Sequence, residues 1–271
     1  MELPPPQNPH WHRDVDHLSG LIGHAVPVSF DPGILALSFV VSFIGAASTL
    51  ELINRRTSSK GLFNHLLLLG AAITMGGVAI WCMHYLGNRA TILLKGEPEL
   101  QIAFSVGTTV ASLFVPIVVL LVAFNVVTAT NAVSWWRIGV SGTLSGGAIC
   151  GMHYLGNASV RNYVCEYDTG NIAGAALIAA AASTAALAMF FVFRAAWTNS
   201  WWKRMCCAVI LAAAVSGMHW CGALGTRYRL VKLNSAVDFD MRNTTVIVVS
   251  CLVSSGPATC VPPLPSMYTT R

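Results

Sequence analysis

Charge is what this sequence has least of. Only 10% of its 271 residues are Asp, Glu, Lys or Arg, where a soluble domain carries about 25%. Hydrophobic residues make up 55%, and the mean hydropathy is +0.62. One membrane domain therefore takes almost the whole length, with no stretch that reads as a separate soluble enzyme domain. Charged residues are missing from the middle of the apolar runs, which disfavours an ion-translocating pathway. The eight cysteines show no CxxC spacing, so neither a disulfide framework nor a zinc module is indicated. The first nine residues lack a basic region followed by an apolar run, so they are not a signal peptide. The net charge of +5 comes from basic residues at the ends of apolar runs. These read as topology signals, not as a nucleic-acid patch.

Long apolar runs are what the sequence has in their place. A membrane span needs about 20 mostly apolar residues. Six runs meet this, at about residues 33–53, 62–86, 102–127, 136–155, 172–193 and 205–224. A seventh run, 244–253, is too short to cross upright and is followed by Gly256, Pro257 and further prolines. Pro116 is expected to kink the third span. Gly, Ala and Ser crowd the last three spans, which lets helix backbones approach closely. The expected fold is an all-α, polytopic transmembrane bundle of six spans plus this doubtful seventh, with residues 1–29 as an outer arm and 254–271 as a short tail. Arg55, Arg56 and Lys60 follow the first span, and Arg194, Lys203 and Arg204 follow the fifth. Both short basic loops should be cytoplasmic, which puts the N-terminus outside. Arg227, Arg229, Lys232 and Arg242 argue against this orientation. The sequons at Asn157 and Asn243, on the expected outer side, argue weakly for it and for a glycoprotein, Asn157 lying too close to the membrane to be modified.

The chemistry sits in a repeat. The second span ends Met83-His84-Tyr85-Leu86-Gly87-Asn88, the fourth Met152-His153-Tyr154-Leu155-Gly156-Asn157, and the sixth Met218-His219-Trp220-Cys221-Gly222. The intervals are 69 and 66 residues, the length of a two-helix unit, so the bundle reads as a parallel repeat of a helix hairpin. With nine Met and eight His, roughly 0.3 Met-His pairs are expected by chance. Alternate helices run the same way, so all three motifs should emerge on one face at similar depth. Imidazole is the commonest metal ligand and thioether is a soft one, a pairing that favours copper. No carboxylate lies nearby, which argues against hard cations.

Each part also has a bland reading. A methionine in an apolar helix is ordinarily core filler. A tyrosine or tryptophan at a span end is ordinarily an interfacial belt residue. A single histidine can bond a carbonyl on the next helix. Gly87, Gly156 and Gly222 can simply end their helices. Cys82, Cys150 and Cys221 lie near the motifs at unequal offsets and are at most accessory ligands. His65 reads as interfacial, and His10, His12, His17 and His24 as part of a polar arm. Glu51 can pair with Arg55 at i+4. Asn54 and Asn125 read as helix-end or interhelical hydrogen-bond groups.

The triple motif resembles the MHYT domain, a membrane sensor domain named for this pattern. The resemblance covers about residues 30–253 and includes the opening Ser29-Phe30-Asp31-Pro32-Gly33-Ile34-Leu35. It implies six or seven helices in the cytoplasmic or plasma membrane. It also implies sensing of a diatomic gas (oxygen, carbon monoxide or nitric oxide) or of redox state through bound copper. On that resemblance the ligands are Met83, His84, Met152, His153, Met218 and His219. Leu86, Leu155 and Cys221 stand where the family has Thr, and Trp220 where it has Tyr. Many members carry a soluble signalling domain after the last helix. None follows here before Arg271, so the expected output either passes to an unidentified downstream partner or lies in a continuation of the chain. The other expected partners are the lipid bilayer and a small gas. A haem or redox membrane protein, a copper-handling transporter and a scaffold that binds nothing are the competing readings.

Overall fold

The computed structural model describes residues 18–57, 61–130, 132–197 and 201–234. It contains six long helices: α1 Pro32–Asn54, α2 Leu62–Ala90, α3 Val106–Val127, α4 Trp135–Asn157, α5 Thr169–Trp197 and α6 Trp201–Leu224. They match the six expected spans, and the chain is a multi-pass membrane protein. The short seventh run, the sequon at Asn243 and His10, His12 and His17 lie outside the described residues. The third helix starts four residues later than expected. Phe104 instead forms a β-bridge with Val160, and Ser105 donates to the Ser159 carbonyl.

Helix α1 begins where the sequence puts a cap. The Asp31 carboxylate accepts from the backbone N–H groups of Gly33 and Ile34, and Pro32 occupies the first turn, where its missing N–H costs nothing. Pro116 lies buried inside α3. Helix α2 is not uniform: residues Thr74–Cys82 form a π-helical stretch between two α segments. Its wider turns shift the phase of the helix, so Met83–Ala90 presents a face that a continuous α-helix would not. The Thr49 hydroxyl of α1 lies 2.8 Å from that of Thr74, at the start of this stretch.

The helices pack as a closed ring. Each touches its sequence neighbours, and α6 returns to α1. The even helices lie inside: 78% of the most apolar stretch of α2 and 61% of that of α6 are buried, against 33% for each of α1, α3 and α5. Helix α4 is not apolar enough by hydropathy to count with the other five, because its interior positions are Ser141, Gly142, Ser145 and Gly146. Those residues serve close approach instead. A Cβ on Gly146 would stand 2.7 Å from the Cα of Ala180 on α5, and the Ser141 hydroxyl donates to the Ala123 carbonyl of α3 at 2.8 Å. Packing of this kind replaces the hydrophobic drive that is missing between helices in lipid.

The two ends of the ring differ. At one end Glu51 pairs with Arg55 at 2.9 Å, as the i+4 spacing suggested, and with Arg204 of α6 at 3.4 Å. The basic flanks of α1 and α6 therefore share a face. At the other end each inner helix runs into a strand, an addition to the expected all-helical picture. Strand β1, Val28–Phe30, pairs antiparallel with β2, Thr91–Leu93. Strand β3, Tyr163–Tyr167, pairs antiparallel with β4, Thr226–Leu230. Residues 18–29, expected to belong to an outer arm, pack on this end: Gly23 and Val26 donate to the carbonyls of Leu230 and Tyr228. Arg229, one of the charges that argued against the orientation, is paired with Glu166 at 2.7 Å.

The packing of α4 on α5 has a direct test. Gly146→Leu should lower unfolding stability in detergent by about 1–3 kcal/mol, the usual cost of overpacking. Gly147→Leu on the same helix, where a Cβ meets nothing within 4 Å, should leave it nearly unchanged.

Candidate metal centre

The three motif histidines, one from each inner helix, meet at the strand-bearing end. His84, His153 and His219 are all fully buried. Their ring centroids lie 5.0, 5.2 and 5.1 Å apart, and each pair of planes is crossed at 80–87°. The Nδ1 of His219 is 3.3 Å from that of His84 and 3.2 Å from that of His153. The motifs do emerge on one face at one depth, as the repeat spacing required.

What lets them meet is a second residue of the motif. Each imidazole lies against a glycine of the next repeat, in a cycle. A Cβ on Gly156 would stand 2.7 Å from His84 Cδ2, one on Gly222 2.7 Å from His153 Nε2, and one on Gly87 2.8 Å from His219 Cδ2. These glycines do not end their helices. They lie inside them, three residues after each histidine, and remove the methyl that would hold the helices apart.

The motif aromatics act in the same cycle. Tyr85, Tyr154 and Trp220 each meet the edge or face of the preceding imidazole, at 5.0, 4.9 and 5.0 Å and 85–89°. Each is met in turn by an aromatic two residues before an outer helix: Phe104 before α3, Tyr167 before α5 and Phe30 before α1. The belt reading of Tyr85 is overturned. Tyr85 is fully buried, and its hydroxyl lies 3.1 Å from Ser112 Oγ and 3.2 Å from Ser159 Oγ. Trp81, one turn earlier, donates to Ser112 Oγ at 3.0 Å. A buried phenol needs such partners, and Ser112 on α3 supplies them to both rings.

Met83, Met152 and Met218 are each 1% exposed and belong to the apolar core. Cys150 and Cys221 turn toward carbonyls of α5, those of Ala175 and Asn171. Cys82 is buried in the core. Among the described residues, the donor cluster is three imidazoles with no thiol or carboxylate. His65 is exposed on the second helix, far in sequence from the cluster. Asn125 bonds the Leu121 carbonyl, as a helix-surface amide does. Asn157, expected to lie too close to the membrane for glycosylation, is buried, and its amide contacts His153 and Asn88.

The donor set fits a metal ion. Ligand nitrogens at 2.0–2.1 Å from one tetrahedral ion stand about 3.3–3.4 Å apart, close to the Nδ1 separations here. A neutral imidazole offers one lone pair and one N–H. With three Nδ1 atoms turned inward, any choice of tautomers leaves unmatched lone pairs or competing N–H groups at the centre, and a cation resolves this. The Asn88 and Asn157 amides, and the glycines as a cradle, escaped the sequence reading. The signal was there: Gly at His+3 in all three copies and Asn at His+4 in two.

Alanine at Gly87, Gly156 or Gly222 should destabilise the protein, although alanine is favoured over glycine in a helix by up to about 1 kcal/mol. Overlap with an imidazole should reverse that gain to a net loss of about 1–3 kcal/mol in all three variants, read by thermal unfolding. Gly151→Ala, where a Cβ meets nothing within 4 Å, should be neutral or stabilising. A loss confined to one glycine would contradict the cyclic packing.

Comparison with known proteins agrees with the repeat. The family profile described as "Bacterial signalling protein N terminal repeat", MHYT, matches residues 77–140 and 146–201. Each matched segment opens just before a Met-His-Tyr motif and continues through the next outer helix. The chain is 28% identical over 132 residues to the bifunctional diguanylate cyclase/cyclic di-GMP phosphodiesterase MucR of Pseudomonas aeruginosa, covering 49% of this chain and 18% of that protein. It is 23% identical over 145 residues to the signaling protein YkoW of Bacillus subtilis, covering 53% of this chain and 17% of that protein. The chain thus spans less than a fifth of either relative. No solved structure matches. The third motif, with Trp220 and Cys221, falls outside the matched segments, yet its histidine completes the ring. Two segments of the chain thus match the MHYT repeat, and a third copy of its Met-His-aromatic motif lies in the same cycle.

Proposed function

We propose that the chain is a sensory membrane domain whose three inner helices hold a copper ion through His84, His153 and His219, and that the state of this ion is the signal. The observation that carries the reading is the convergence of three buried imidazoles, with the Nδ1 of His219 3.3 and 3.2 Å from those of His84 and His153. Nitrogen donors with no carboxylate among them suit copper better than magnesium or calcium. Met83, Met152 and Met218, one residue before each histidine, are the soft donors that would bias the site toward Cu(I). Copper bound there would supply a redox-active centre able to take a diatomic gas. Full burial of the rings favours a ligand as small as oxygen, carbon monoxide or nitric oxide.

The protein's own part is mechanical. Each ring is carried by a different inner helix, so a change in how the ion is held changes the packing preferred by those helices. A ligand shifts such an equilibrium only by its differential affinity for the two packings. The basic end of the bundle would then face the cytoplasm and the imidazole end the outside of the plasma membrane. The signal would pass to a partner at the basic end. A haem has little support. It needs a slot between two of the rings, and rings 5.0–5.2 Å apart and closed in by glycine backbone do not offer one.

Metal analysis of purified protein tests the reading. Wild type should carry copper near one equivalent, and His84→Ala, His153→Ala and His219→Ala together should reduce it at least tenfold. Met83→Leu, Met152→Leu and Met218→Leu together separate the donor classes, because sulfur ligation would vanish from the copper X-ray absorption spectrum while nitrogen ligation stayed. Equal, trivial copper in wild type and the triple histidine variant would defeat the metal reading.

A further inference from the structure

The inward edge of each imidazole is the candidate ligand edge, and the outward edge is where the three repeats differ. His84 Nε2 lies 3.1 Å from the amide nitrogen of Asn88, and His153 Nε2 lies 3.3 Å from that of Asn157. The two amides are joined to each other, Asn88 Nδ2 to Asn157 Oδ1, at 3.2 Å. In the third repeat Ala223 stands at the corresponding place, four residues after His219. His219 Nε2 accordingly has no hydrogen-bond partner among the described residues, though it is fully buried. The amide beside the imidazole is a feature of two copies, and its absence has a visible consequence in the third.

We infer that Asn88 and Asn157 are positioning residues, a linked pair of amides that fixes His84 and His153 as Nδ1 ligands and leaves His219 as the one arm of the site without a brace. This rests on the metal reading above. The chemistry follows from proton placement. With the amide nitrogens toward the rings, both Nε2 atoms accept, so both Nδ1 atoms carry hydrogen. Those two N–H groups then compete for the single Nδ1 lone pair of His219. A half-turn of both amides, which leaves the heavy-atom outline unchanged, reverses this. His84 Nε2–H then donates to Asn88 Oδ1, His153 Nε2–H donates to Asn157 Oδ1, and Asn157 Nδ2 donates to Asn88 Oδ1. Every contact in the chain is matched, and both Nδ1 lone pairs face the centre. A ligating histidine characteristically donates its far N–H to such an oxygen, which sets its tautomer and ring angle. The amide–amide bond makes the two braces interdependent and ties α2 to α4, while α6 carries the free arm.

The test compares variants with and without the acceptor oxygen. Cu(I) affinity of the purified full chain would be measured by competition with a chromophoric Cu(I) chelator. Asn88→Leu and Asn157→Leu keep the approximate volume and remove the acceptor. Each should weaken affinity about 10–100-fold and lower the number of nitrogen scatterers in X-ray absorption. Asn88→Asp restores a stronger acceptor and should bind several-fold tighter than wild type. A role in packing alone would lower the unfolding temperature of the metal-free protein without producing the order Asp, Asn, Leu in affinity. Leucine variants that bind within twofold of wild type would overturn the inference. Should those variants fail to fold, an Asn88→Asp protein that binds no tighter than wild type overturns it. Wild-type protein that binds no copper at all would sink the metal reading itself, a separate outcome.

Discussion

Three imidazoles can share one point inside a membrane bundle only if three helices come close enough to bring them there. In this chain that approach is licensed by three missing methyl groups. Gly87, Gly156 and Gly222 each give up the volume that an imidazole from another repeat then fills. The contacts form a closed cycle: the first histidine on the second glycine, the second on the third, the third on the first. A cycle of this kind fixes all three inner helices at once, because moving one ring frees one glycine and crowds another. The aromatic contacts follow the same order. Each motif aromatic braces its own imidazole and is braced by the segment that enters the next outer helix, with α6 and Phe30 closing the circle. The strand ribbons at that end hold two of those entering segments in register, and the Phe104–Val160 bridge holds the third.

Much of this was legible in the sequence, and what was not has physical causes. Six apolar runs became six helices because span length is set by bilayer thickness. The interval between motifs placed the histidines on one face because alternate helices must run parallel. In the sequence Gly87 and its counterparts are equally compatible with helix ends, where glycine is common. Nothing local says that another helix needs the space. Tyr85 was read as a belt residue for the same reason: its partners Ser112 and Ser159 lie 27 and 74 residues away. The π-helical stretch of α2 left only Gly76-Gly77 as a trace. Asn157 was read as a sequon because surface loops are the usual home of that triplet, whereas here it continues a helix into the core. Long-range partners decide the role of a polar residue in lipid, and a linear pattern does not carry them.

The three repeats are close copies in geometry but not in chemistry. The first has the π-helical stretch and the Trp81–Ser112–Tyr85 network. The second has the small-residue helix α4, too polar to face lipid broadly and packed closely on α5. The third has Trp220 for Tyr, Cys221 for Leu and Ala223 for Asn. A perfectly symmetric site would hold its occupant equally from all sides. Here two arms are joined through Asn88 and Asn157, and the third is carried by a helix whose imidazole has one nitrogen unbonded among the described residues.

That asymmetry bears on how a buried centre can report across a membrane. The inner helices are pinned together at the imidazole end, and the seam of the ring, between α6 and α1, is clasped at the opposite end by Glu51 with Arg55 and Arg204. Helix α6 therefore takes part in both the least braced imidazole and the ion pairs at the basic end. A change at the centre would move α6 in preference to α2 and α4, because those two are bonded to each other through their amides. Its far end lies beside the basic flank of α1, the side on which a downstream partner would read the movement. On the metal reading, α6 is the inner helix whose imidazole lacks the amide brace of the other two, which makes it the element that a small ligand would bias.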